Sequence, residues 1–137
     1  MTEEIKTILE SLYDDYKLYK GTERITNDEW SLYAIDAYFF LQYLSSNHFK
    51  EILFMPEYEI EIASAIINIA DLEYDLQLRK QLMVENVGIS SESVKSHSVT
   101  YTTTKELVDE FEREMHKKKV DLAKKYLQNT GIFYRGL

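Results

Sequence analysis

The sequence predicts an all-α protein, a bundle of about four main helices, and three observations lead to it. Apolar residues recur at helical spacing through most of the chain. One proline and four glycines in 137 residues leave few positions at which a long helix must stop. Two capping boxes, Thr26-Asn27-Asp28-Glu29 and Thr103-Thr104-Lys105-Glu106, have the form that opens a helix.

In the first segment, 2–20, Ile5, Ile8, Leu9, Leu12, Tyr13, Tyr16 and Tyr19 fall at helical spacing. Glu3 and Glu4 suit its positive N-terminal end, and Gly21 is placed to stop it. The Thr26 box opens a second helix with Trp30, Tyr33, Ala34, Ala37, Tyr38, Leu41 and Leu44 on one face, ending near Asn47. Pro56 then fits the first turn of a third helix, expected from Glu57 to about Met83. Apolar residues cover more than half of that helix's circumference: Ile60, Ala63, Ile66, Ile67, Ala70 and Tyr74, with Ile62, Ile69, Leu72 and Leu76. A helix so apolar is either central or lends a second face to another subunit.

Residues 87–103 are rich in serine, contain Gly88 and several β-branched residues, and carry no helical period. They predict an extended loop or β-hairpin, at about 88–102, protruding from the helical body. The Thr103 box opens a last helix with Leu107, Val108, Phe111, Met115, Leu122, Tyr126 and Leu127 on one face. Glu106, Glu110 and Glu114 lie four apart on its other face, with Lys117 and Lys118 beyond. Thr130-Gly131 ends it. The expected layout is one helical domain over 1–131 and an extended C-terminal tail over 132–137.

The tail, Ile132-Phe133-Tyr134-Arg135-Gly136-Leu137, is unusually apolar for a chain end. Aromatic and Arg side chains dominate interface energetics, so the tail reads as a docking anchor; folding back on its own core is the alternative. Eleven tyrosines point the same way, because Tyr offers large, rigid, amphipathic contact area.

Charge narrows the partners. The net charge is −8, with 12 acids against 5 bases in 1–60, 6 against 3 in 61–97, and 6 against 8 in 98–137. An acidic body disfavours wrapping nucleic acid, whose affinity rests on Lys and Arg. The mildly basic last quarter is suited to an acidic neighbour. The acidic start is unlike a signal peptide, and no apolar run approaches the roughly 18–20 residues that span a bilayer, so a cytoplasmic start is expected.

The search for chemistry yields no catalytic, metal or cofactor residue. Without cysteine there is no disulfide, thiolate zinc site or cysteine nucleophile. His48, His97 and His116 fall in separate segments, and no HExxH, ExxH, P-loop, GxGxxG or GxSxG occurs. The carboxylate pairs Glu57/Glu61 and Asp71/Asp75 stand four apart, a spacing that a solvated helix face produces far more often than a metal or acid–base site. Lys117, Lys118, Lys119, Lys124 and Lys125 do not form one narrow stripe, and a solvated face outweighs a phosphate site there.

Three stretches taken in order carry a resemblance: Gly88-Ile89-Ser90-Ser91-Glu92-Ser93-Val94, then Ser96-His97-Ser98-Val99-Thr100-Tyr101, then Gly131-Ile132-Phe133-Tyr134-Arg135-Gly136. Together they resemble the head–tail connector (adaptor, or head-completion) proteins of long-tailed bacteriophages. The chain departs from that pattern at Lys95 or Ser96, where the family commonly has a glycine. The resemblance implies a structural virion protein with no enzymatic activity and no cofactor. About a dozen copies would form a ring beneath the portal protein, prolong the DNA channel and meet the next connector (stopper) or a tail protein. DNA would pass without specific binding, no membrane would be involved, and the protein would move from the host cytoplasm into the virion. The tail, 132–137, and the protruding residues Ser93, Val94, Lys95, Ser96, His97, Ser98, Val99 and Tyr101 would make the contacts. The competing readings are a stopper or tail-completion protein of the same connector, a small helical nucleic-acid-binding regulator, and an enzyme built on a carboxylate pair.

Overall fold

The computed structural model describes the backbone of residues 1–93 and 97–135, and the side chains of 1–82 and 105–133. Among the described residues six helices follow one another: α1 (Glu3–Lys20), α2 (Asn27–Leu44), α3 (Phe49–Ile52), α4 (Glu59–Ser93), α5 (His97–Leu127) and α6 (Ile132–Arg135). Short 3-10 turns, Pro56–Tyr58 and Gln128–Thr130, lead into α4 and out of α5. No strand occurs among the described residues.

Local chemistry sets the ends of α1 and α2. The Thr2 hydroxyl accepts from the Ile5 N–H at 3.3 Å, and Gly21, at φ 64°, closes α1 by donating its N–H to the Lys17 carbonyl. Thr26 caps α2 as its box predicts: its hydroxyl accepts from the Glu29 N–H and donates to the Glu29 carboxylate at 2.9 Å. The chain leaves α2 through Ser46 and Asn47, both in the left-handed region (φ 53° and 70°). Ser45 holds that turn, accepting from the Phe49 N–H at 2.9 Å while donating to the Leu41 carbonyl.

One hydrophobic cluster joins all six helices. At its α1–α2 end Tyr13, Tyr16 and Trp30 stack with centroids 5.0–6.1 Å apart. Their polar atoms are satisfied inside: the Trp30 indole N–H donates to the Leu9 carbonyl and the Tyr13 hydroxyl to the Ile25 carbonyl, both at 2.9 Å. Helix α4 is central over its first half. Ile62, Ala65, Ile66, Ile67, Ile69 and Ala70 are all buried, which accounts for its nearly all-round apolar pattern. Helix α5 returns along α4 and contributes Met115, Ala123 and Leu127 to the interior.

Three expectations are corrected. Among the described residues of 88–102 there is no extended loop or β-hairpin: α4 runs on to Ser93, ten residues past its expected end at Met83, and α5 already begins at His97. The connection at Val94, Lys95 and Ser96 lies outside the described residues. The physical reason is that no proline follows Pro56. Gly88 costs a helix about 1 kcal/mol relative to Ala, and each Ser, Thr or Val a few tenths. Once a packed stem has nucleated a helix, each added residue contributes its own hydrogen bond, and such modest costs do not stop it. For the same reason the Thr103 box is bypassed and lies inside α5. Finally, residues 132–135 of the expected tail are helical, not extended. After Gly131, at φ 76°, the backbone turns back into α6, and Ile132 is fully buried in the common core. Ile132, the first residue past the boundary expected at 131, thus packs with the domain.

Candidate interaction surface

Helices α1 and α4 leave a groove between them, on the outside of the bundle. Its floor is Ala63, Ser64 and the buried Ile67, and its walls are Leu18 and Tyr19 from α1 and Ile60 from α4; this part encloses about 510 Å³. It continues past Asp15, Glu59 and Ala63 into a second stretch of about 330 Å³, lined by Ile8, Leu12, Leu53, Phe54, Met55 and Pro56. The Pro56–Tyr58 turn is what brings Phe54 and Met55 there, since proline's fixed φ starts α4 while the preceding residue stays extended. Leu18 is 84% exposed and Ile60 79%, and Tyr19, Phe54 and Met55 are also exposed. The strip sets exposed apolar side chains beside two carboxylates, Asp15 and Glu59, at its middle.

A second open surface is the outer side of α2. Leu32, Phe39 and Tyr43 are all exposed, and their spacing places them on the face opposite the buried Trp30, Ala34, Ala37 and Leu41. A third lies where α4 and α5 meet: Leu72 and Leu122 form an apolar floor of about 360 Å³ bordered by Lys118, Asp121 and Lys125.

Of the carboxylates singled out by spacing, Asp71 and Asp75 share a structural partner. Arg24 spans Asp71 and Asp75, with its guanidinium 3.0 Å from Asp71 Oδ1 and 2.7 Å from Asp75 Oδ1, and lies over the Tyr74 ring. The two acids hold the Arg24 guanidinium even more firmly protonated than usual, Asp75 first. Tyr16 donates to Asp71 at 3.2 Å, and Lys20 donates to Asn68 at 2.7 Å, so α1 and its following loop are tied to the middle of α4. Burial, and then the Asp71 charge, raise the Tyr16 hydroxyl above its ordinary range. Glu57 is exposed in the 3-10 turn and Glu61 half-buried; among the described residues no group of acids or histidines is placed to hold a metal ion.

The basic candidates separate in the same way. Lys119 pairs with Glu73 at 3.0 Å, each side chain only 17% exposed, and lies over Phe40, locking α5 to α4 and α2. Partial desolvation, and then the Glu73 charge, raise the nearby Asp36 carboxyl above its usual range, against the pull of Lys119. Lys117, Lys118, Lys124 and Lys125 stay exposed on α5. His48 lies 3.1 Å from Glu51, and His116 meets the Phe40 ring edge-on.

Of the expected docking tail, Ile132 is core and Phe133 half-buried against it; the side chains of Tyr134, Arg135, Gly136 and Leu137 lie outside the described residues. So do those of Ser93, Val94, Lys95, Ser96, His97, Ser98, Val99 and Tyr101. The tyrosines with described side chains serve chiefly the interior. Tyr13, Tyr16 and Tyr38 are buried, Tyr33, Tyr58, Tyr74 and Tyr126 pack against the core, and Tyr19 and Tyr43 are exposed. The α1–α4 groove escaped the sequence reading because Leu18 lies off the apolar face of α1. Its one legible sign was the surplus of apolar residues on α4.

These features define an all-α protein organised on a long α4–α5 hairpin, with open apolar surfaces. No protein-family model, no curated protein and no solved structure matches the chain. No helix among the described residues is long and apolar enough to cross a membrane.

Proposed function

We propose that this chain is a structural assembly protein of the phage head–tail connector class, which forms a ring beneath the portal, extends the DNA channel and joins head to tail. The observation that carries the reading furthest is the set of separate apolar surfaces left open: the α1–α4 groove on one side, and Leu32, Phe39 and Tyr43 of α2 on another. A ring of identical subunits uses two different patches of each copy, one meeting the other around the circle, and a further open surface such as the α2 face is left for the portal or the next connector. The acidic body supports it as well, since a channel wall must let DNA slide without adhering. The motif resemblance names the setting. The long α4–α5 hairpin replaces the expected β-hairpin as the element that reaches towards the portal or the next connector.

The test is to mix the purified protein with the portal oligomer of the same genome and image the mixture by electron microscopy. An added ring of density under the portal is the expected result. No binding at any salt concentration would overturn the reading.

A further inference from the structure

We propose that the α1–α4 groove receives the basic face of α5 from a second copy of this chain, in a head-to-tail contact; the inference rests on the assembly reading above and assigns its subunit interface. The groove combines apolar walls (Leu18, Ile60) with two exposed carboxylates, Asp15 and Glu59, at the junction of its two stretches. Among the described residues neither acid takes part in an ion pair within the chain. An occupant that fits therefore brings apolar side chains flanked by cations.

The same chain presents that chemistry elsewhere. Lys118 and Lys125 stand seven residues apart on α5, which puts them on one face about 10 Å apart along the axis. Between them lie the apolar floor of Leu72 and Leu122 and one exposed acid, Asp121, so the face carries two cations against one anion. Neither lysine is in a salt bridge within the chain among the described residues, in contrast to Lys119 on the adjoining face. The two surfaces share no residue, as a head-to-tail contact requires, and they adjoin within the chain where Tyr19 of the groove neighbours Tyr126 and Lys125 of α5. Two grooves facing each other would instead set Asp15 and Glu59 against their own images, which disfavours a symmetric groove-to-groove dimer.

Charge reversal in the full-length protein tests this. Sedimentation of the wild type, D15K/E59K, K118E/K125E and an equimolar mixture of the two variants is followed at low and high salt, with circular dichroism confirming that each folds. The wild type should self-associate, more weakly at high salt. Each variant alone should associate at least ten-fold more weakly, and the mixture should recover, because each variant then meets a complementary partner surface. Loss in both variants without recovery in the mixture would overturn the assignment. So would unchanged association in either variant, or a wild type that stays monomeric both alone and with portal. The connector reading is judged separately by the wild-type density under the portal. A ring that forms equally well with D15K/E59K leaves that reading standing and removes this interface; no ring at all, with the mixture still recovering, does the reverse.

Discussion

Replacing Arg24 by Ala removes the tie between the α1–α2 loop and the middle of α4. The guanidinium makes close bonds to Asp71 (3.0 Å) and Asp75 (2.7 Å) and covers one face of Tyr74. Hydrogen bonds to charged groups contribute about 1.5–3 kcal/mol when well shielded, and exposed ion pairs about 0–1. Asp71 is well covered, but Arg24 itself is about one-third exposed, which places the pair between those limits. Removal also leaves Asp71 and Asp75 one helical turn apart with their shared cation gone, although Tyr16 still donates to Asp71. The expected loss is therefore about 1–2 kcal/mol. For 137 residues the entropy of unfolding is about 0.3 kcal/mol per degree, so Tm should fall by roughly 3–7 °C. Thermal and urea denaturation followed by circular dichroism reads this directly. R24K should recover only part of the loss, since a single ammonium cannot reach both carboxylates with the geometry of a planar fork. A loss below about 0.5 kcal/mol, or full recovery by Lys, would refute the claim that the fork ties these elements together.

The remaining predictions concern the C-terminus, a raised carboxyl and the far end of the hairpin. I132A should cost about 2–5 kcal/mol, as expected for a fully buried aliphatic side chain; a Tm unchanged in urea and heat scans would return the residue to a free tail. D36N should raise Tm at neutral pH. The Asp36 carboxyl titrates above its ordinary range when folded, so its ionised form is penalised by folding. That penalty is absent below the ordinary carboxylate value of about 4 and sets in as pH rises through the folded value. The gain should accordingly shrink to nothing in acid, and a gain equal at both ends of a pH series of melts would contradict the assignment. G88A should increase far-UV helicity and stabilise the hairpin by up to about 1 kcal/mol, whereas G88P should lower helicity, because position 88 is helical. Indifference of the spectrum to both would favour a loop there.

What could be read from sequence was what is settled within a turn or two of backbone. The Thr26 box, the Gly21 stop and the faces of α1 and α2 are decided by hydrogen bonds three or four residues apart and by one helical period, so they appear in the structure as expected. The central placement of α4 was legible too, because no helix so apolar survives at the surface on all sides. The serine-rich stretch misled because composition reports only the intrinsic cost of each residue, while α4 and α5 gain from a stem already packed. Asp71 and Asp75 looked like any solvated pair until folding delivered Arg24, 47 residues away in sequence. Ile132 and Leu18 show the same division. One is apolar and buried and the other apolar and open, and nothing local to either distinguishes them. Which apolar side chains find a neighbour depends on contacts between distant segments, and those exist only once the bundle has closed.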